Sequence, residues 1–234
     1  MQDRYAGDAG DFSKLGLLRA LAPEAAGAGG IVWYRVPNES HNADGKHVTY
    51  LSRPQTFRAC DPELFDALGP VAHAETRTVA DLVARCVPGW VSVEEYVPPG
   101  AARQAWLAGA LAAVAGCRLV CLDPDNGLAP PSVGPGARTA PKFVFDHEVA
   151  AFAATGATVV VYQHLHRIGN AETQALRFAE RLAAAAGHPA HVVRYRRGSG
   201  RLYGVVGPDP SVPARLEAFV RDWSPHFERC GSAT

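Results

Sequence analysis

The residues best suited to chemistry lie near the middle of the chain, where the apolar run Leu119-Val120-Cys121-Leu122 stops at Asp123-Pro124-Asp125-Asn126-Gly127. Two carboxylates and an amide at the end of a buried strand can orient a substrate or cofactor, and the Asp-x-Asp spacing suits an oxygen-loving ion such as Mg²⁺. Asp123, Asp125 and Asn126 are therefore candidate catalytic residues. The competing reading is an ordinary turn, since Pro, Asn and Gly supply turn geometry without function. A second polar exit, Gln163-His164-Leu165-His166-Arg167, follows the apolar run 157–162. His164 is the candidate general base there, because imidazole changes protonation near neutral pH; His166 and Arg167 adjoin it.

The third segment is Gly7-Asp8-Ala9-Gly10-Asp11-Phe12-Ser13-Lys14. At the start of a helix, free backbone N–H groups attract anions, glycines permit close backbone approach, and Lys14 offers a charge-assisted bond. Asp8, Gly10, Asp11 and Lys14 are the candidate cofactor-binding residues, against the plainer alternative of a capped helix with a solvated face. Three further groups adjoin these segments: the polar loop 38–47, Lys142, and the basic cluster Arg194, Arg196, Arg197 and Arg201. The arginines read either as a phosphate contact or as a solubilised hairpin.

The elements that must position these residues alternate. Apolar spacing at Phe12, Leu15, Leu18 and Leu21 predicts a helix over 11–22 with Asp11 as its cap. Strands are expected at 31–36, 90–96, 118–122 and 157–162, and helices at 78–86, 101–115, 145–155 and 171–186, with Asp61-Pro62 opening another short helix. The runs 191–197 and 201–206, separated by Gly198-Ser199-Gly200, predict an antiparallel hairpin at one edge of the sheet. The Pro/Gly-rich stretch 129–141 reads as a mobile flap beside the acidic turn. The sum is one α/β domain over residues 1–234: a Rossmann-like, mostly parallel sheet with helices on both faces and a C-terminal hairpin, because near-continuous apolar strands need cover on both sides.

Composition narrows the class. With 234 residues, 47% hydrophobic and 20% charged, the chain is too apolar to be disordered. Lys+Arg and Asp+Glu total 23 each, which removes any global field for polyanions and leaves only local patches for a nucleic-acid substrate. No apolar run reaches membrane-spanning length and no apolar leader opens the sequence, so no membrane partner and a cytoplasmic location are expected. The five cysteines form no CxxC pair, and Cys117 and Cys121 read as buried thiols, not zinc ligands.

The element order resembles that of Rossmann-like S-adenosylmethionine-dependent methyltransferases, whose mostly parallel sheet ends with a hairpin that inserts an antiparallel strand. Within them the layout is similar to the ribosomal-RNA adenine-N6 enzymes, with Ala6-Gly7-Asp8-Ala9-Gly10-Asp11-Phe12-Ser13-Lys14 in place of their Ala-Gly-Asn-x-Ala-Asp-x-x-Lys segment and Asp123-Pro124-Asp125-Asn126 in place of Asp-Pro-Pro-Tyr. The resemblance implies S-adenosylmethionine as cofactor, held near Asp8, Asp11 and Lys14, and an acceptor facing 123–126. Asn126 stands where those enzymes have a base-stacking aromatic residue, so an adenine acceptor is not implied. The chain also resembles an uncharacterised bacterial family with a Gly-Asp-x-Gly-Asp-Phe-x-Lys-x-Gly-Leu-Leu-Arg start and a Leu-Asp-Pro-Asp-Asn-Gly centre. The alternative function is Mg²⁺-dependent phosphoester hydrolysis or nuclease action through Asp123 and Asp125, a turn similar to the first motif of haloacid-dehalogenase-type phosphatases. On either reading the three segments converge on one crevice, and Asp123→Ala and Lys14→Ala are expected to impair binding or activity while barely changing the melting temperature.

Overall fold

The computed structural model describes residues 1–22, 29–39, 47–165, 169–197 and 200–233. The first helix, α1 (Ala9–Leu21), begins two residues earlier than its apolar spacing suggests. Its cap is Asp8, not Asp11: the Asp8 carboxylate accepts the N–H groups of Gly10 and Asp11. Strand β1 (Gly29–Val32) follows and stops short of the expected 31–36, because Tyr34 takes a left-handed φ of 41° that ends the extended run. Next come α2 (Pro54–Phe57), α3 (Pro62–Ala72) and α4 (Val79–Cys86). Asp61 caps α3 with Pro62 in the first turn, as its sequence indicates.

The second half alternates as expected: β2 (Val91–Val93), α5 (Ala102–Ala113), β3 (Leu119–Leu122), the short pair β4 (Gly127–Leu128) and β5 (Phe143–Val144), α6 (Asp146–Ala153), β6 (Thr158–His164) and α7 (Ala171–Ala186). Then come β7 (Ala190–Tyr195), β8 (Arg201–Val206), α8 (Val212–Asp222) and β9 (Phe227–Ala233). The seven-stranded sheet has the order β2-β1-β3-β6-β8-β7-β9. Pairings β1–β2, β1–β3 and β3–β6 are parallel, whereas β6–β8, β7–β8 and β7–β9 are antiparallel. Thus β7 runs with the parallel strands, and the reversed β8 is inserted between it and β6. The hairpin is therefore interior, and the edge strand is β9, which corrects the expected placement. Neither β9 nor α8 has a counterpart in the sequence reading.

Burial follows the alternation of each strand. Leu119, Cys121, Val160, Tyr203 and Val205 pack under α1, α3, α4 and α8 against Phe12, Leu15, Leu64 and Trp223. Val120, Leu122, Val159, Val161 and Val206 pack on the opposite face against Val149, Phe152, Phe178 and Leu182. This two-sided cover is the reason that these strands read as near-continuous apolar runs. Gly204 lets α7 lie directly on β8, since a Cβ there would stand 2.2 Å from Leu182 Cδ1. No helix among the described residues is long and apolar enough to cross a membrane.

The segment 129–141, read above as a flap, forms a wall tied to the domain near both of its ends. Buried Arg103 donates to the carbonyls of Ala140 and Phe143 (2.9 and 2.6 Å), and Arg181 donates to the carbonyl of Ala129 at 2.6 Å. Ala129, Ala140 and Phe145 form a small buried cluster behind it. Glu148 completes the tie, because its carboxylate accepts Arg103 Nε at 2.6 Å, the Tyr34 hydroxyl at 3.1 Å and the Phe145 N–H at 3.0 Å.

Candidate functional site

The sheet order reverses at β1, since β2 lies on one side of it and β3 on the other, and open α/β sheets bind ligands outside the strand ends at such a switch point. Here that position holds the end of β1, the acidic turn after β3 and the N-terminus of α1. Asp123 is fixed by its backbone N–H, which donates to the Val32 carbonyl at 3.0 Å. Its Oδ2 lies 2.9 Å from Lys14 Nζ, and the same ammonium lies 2.7 Å from Asp11 Oδ1 and over the Trp33 ring, 4.4 Å from its centroid. All three charged groups are buried. The other Asp11 oxygen accepts the Gly7 N–H at 2.9 Å.

One lysine cannot neutralise two buried carboxylates, and the protonation equilibria follow from that. Burial raises the Asp11 and Asp123 carboxyls above the ordinary range, with Lys14 opposing the rise. Burial also works against the Lys14 charge, but Asp11 and Asp123 more than offset it and raise its pKa, so Lys14 stays protonated. Removing Lys14 would leave two buried carboxylates without their cation. The expectation that Lys14→Ala and Asp123→Ala barely alter stability is therefore corrected: these buried side chains hold the fold.

Asp125 points the other way. Its Oδ1 lies 2.8 Å from the Met1 ammonium and its Oδ2 accepts Gln2 Nε2 at 3.0 Å. Burial pushes its carboxyl up, but the Met1 ammonium and Gln2 outweigh this and hold it below the usual range. The Met1 ammonium is thus the counter-charge of the buried Asp125 Oδ1. Gln2 is fully buried and also donates to Glu39, which pairs with Lys142. Lys142 thus serves Glu39 and does not reach Asp123. Asn126 donates its backbone N–H to the Lys142 carbonyl at 3.0 Å, which ties the acidic turn to the 129–141 wall.

His164 lies farther out along β6. Its Nδ1 is 3.1 Å from the Tyr162 hydroxyl. Burial raises the Tyr162 phenol to about 12, with Arg201 opposing. Gln163, on the alternate face, accepts the Leu128 N–H at 2.8 Å and so serves the wall. His166, Arg167 and residues 40–46 of the polar loop lie outside the described residues. Gly10 is spent on packing as well as capping, since a Cβ there would stand 3.1 Å from Arg201 Nε.

The structure therefore brings Asp11, Lys14 and Asp123 into contact, with Asp8 capping the same helix and Asp125 following in the same turn, while His164 lies at the end of β6. Sequence reasoning missed Trp33, Tyr34, Gln2 and Tyr162, and named Arg201 only within the basic cluster. Trp33 and Tyr34 end the first apolar run as Asp123 ends the third, so the same rule applied to β1 finds them. Among the described residues no group of three His, Cys, Asp or Glu side chains is placed to hold a metal ion, and Asp123 and Asp125 are turned toward two different ammonium groups. Cys117 and Cys121 are buried free thiols. Compared with known proteins, the chain matches no family model, no curated protein and no solved structure.

Proposed function

We propose that the crevice binds S-adenosylmethionine and that the chain is a methyltransferase-like enzyme. The observation that carries this reading is the meeting of α1 and the acidic turn at the switch point, with Lys14 Nζ 2.9 Å from Asp123, in a sheet whose reversed β8 is inserted between two strands of the other direction. Strand order is shared by proteins of differing function, so the weight rests on the site. The donor set fits the cofactor: Asp11 and Asp123 share the single charge of Lys14, and an excess of carboxylate suits a ligand bearing sulfonium and ammonium charges. When bound, the cofactor would supply an electrophilic methyl group. Asp123 and Asp125 would hold its positive charges, Lys14 would keep Asp123 in place, and His164 with Tyr162 would take up a proton lost by the acceptor. A strained left-handed residue at the strand end, Tyr34, stands where a glycine turn would otherwise let a ligand approach the backbone.

Isothermal titration of the full chain with S-adenosylmethionine and S-adenosylhomocysteine tests the proposal. Saturable binding is expected, weakened at least about tenfold in Asp125→Asn, which removes a carboxylate of the acidic turn. Absence of saturable heat at millimolar ligand overturns it. The same protein titrated with Mg²⁺ and assayed on phosphoesters provides the competing arm, in which metal-dependent cleavage lost in Asp123→Asn would replace the cofactor reading.

A further inference from the structure

Where β6 and β8 meet at the strand ends, three polar side chains stand in a line on the α1 face of the sheet. Tyr162 and His164 are two positions apart on β6 and so project to the same side, and Arg201 is the register partner of His164 on β8. The Tyr162 hydroxyl lies 3.1 Å from His164 Nδ1 and also receives a hydrogen bond from Arg201. Asp8 and Asp123 act on the same phenol by charge, which sets it between the start of α1 and the acidic turn. Full burial along β6 ends at Val161, so Tyr162 and His164 are partly open to the crevice.

The direction of each bond follows from what the groups can donate. A guanidinium has N–H groups and no acceptor, so Arg201 donates and the Tyr162 oxygen accepts. The hydroxyl has one proton of its own, and among the described residues the acceptor that it meets is His164 Nδ1. A neutral imidazole has one lone pair, so with Nδ1 accepting, the ring proton sits on Nε2. We propose that any proton His164 takes up enters at Nδ1 through the Tyr162 hydroxyl, which makes Tyr162 the catalytic residue that meets the acceptor and Arg201 its positioning residue. The inference rests on the reading of this crevice as a methyl-transfer site and orders its proton path. The acceptor's N–H or O–H bond breaks toward the Tyr162 oxygen while the Tyr162 O–H bond breaks toward Nδ1. The electron pair stays on the acceptor atom, which becomes the nucleophile. Tyr162 ends neutral and His164 ends as imidazolium, and Arg201 steadies the charge that passes over the phenol oxygen with a charge-assisted bond.

Two measurements on the full chain test this path. In the ¹⁵N-labelled wild type at neutral pH, the His164 proton is expected on Nε2, and the Tyr162 hydroxyl proton is expected to couple to Nδ1, a coupling lost in Tyr162→Phe. Diethyl pyrocarbonate attacks an imidazole lone pair, so it should modify His164 at least about threefold more slowly in wild type than in Tyr162→Phe. Exposed His73 is the internal control and should react equally in both. Should Tyr162→Phe fail to fold, the wild-type spectrum decides alone. A ring proton on Nδ1 in wild type, or equal His164 modification rates in the two proteins, overturns the proposal. The expected tautomer and protection in a protein that binds no S-adenosylhomocysteine would sustain the Tyr162 path while removing the cofactor reading alone.

Discussion

Lys14 illustrates how a charged side chain comes to lie inside a small α/β domain. Its stem rises from α1 beside Trp33, and its ammonium is met by two carboxylates and an aromatic face. Breaking a buried ion cluster by removing one partner costs about 3–5 kcal/mol, because the remaining charges stay desolvated. Lys14→Ala should therefore lower the unfolding free energy by that amount in urea titrations, and Asp123→Asn by less, since Lys14 keeps Asp11. The double variant Lys14→Met with Asp123→Asn should recover part of the loss. A Lys14→Ala protein as stable as wild type would mean that the cluster is solvated and contributes nothing to the fold.

At the scale of elements, His226 ties three pieces of chain together. Its Nε2 faces the Thr56 carbonyl at 3.1 Å in α2, its Nδ1 accepts Arg197 Nε at 3.0 Å from the segment after β7, and its ring stacks on Phe57 at 4.7 Å. These partners require the neutral ring with its proton on Nε2. Arg197 is the charged group facing it, and α2 presents only a carbonyl and an aromatic ring. Burial holds the imidazole below its ordinary value of 6.5, with Arg197 acting in the same direction. A histidine depressed in the folded state contributes stability that is present above the unfolded value and is lost as pH falls through the folded one. The melting temperature should drop as the pH falls below about 6.5, and His226→Gln, which keeps one donor and one acceptor, should flatten that slope. An unchanged slope would reassign it to His191, which burial depresses likewise.

Elements also show what the amino-acid pattern reveals. The strands β3 and β6 are legible because two-sided burial demands unbroken apolar residues, and α3 because Asp61-Pro62 marks its start. Strand β9, Phe227-Glu228-Arg229-Cys230-Gly231-Ser232-Ala233, is half-buried at an edge and carries neither an apolar run nor a clean alternation. Asp123 and Lys14 were legible as chemistry because charged types interrupt apolar context. Arg201 was legible only as one of a basic cluster and not as a buried group, since its burial depends on the reversed direction of β8, which brings a residue from a basic turn against the start of a helix 191 positions away.

For the whole molecule, the Glu148 carboxylate has a consequence beyond local cohesion. It serves three donors at once: a guanidinium from α5, the hydroxyl of the residue that closes β1, and the backbone of the segment entering α6. The strand end and the wall around 140–145 therefore share one anchor, and neither can shift without releasing hydrogen bonds of the other. A ligand that displaces Tyr34 by binding at the switch point must then change the local opening free energy of residues 140–145, although it need touch none of them. Amide exchange should record this as altered protection of 140–145 on ligand addition in wild type, and the effect should vanish in Tyr34→Phe, which severs the hydroxyl link while keeping the ring. Persistence of the effect in that variant would place the coupling elsewhere. In thermodynamic language the crevice and the wall form a single linked system, and by reciprocity a substitution that loosens the wall weakens the ligand by the same free energy with which the ligand tightens the wall.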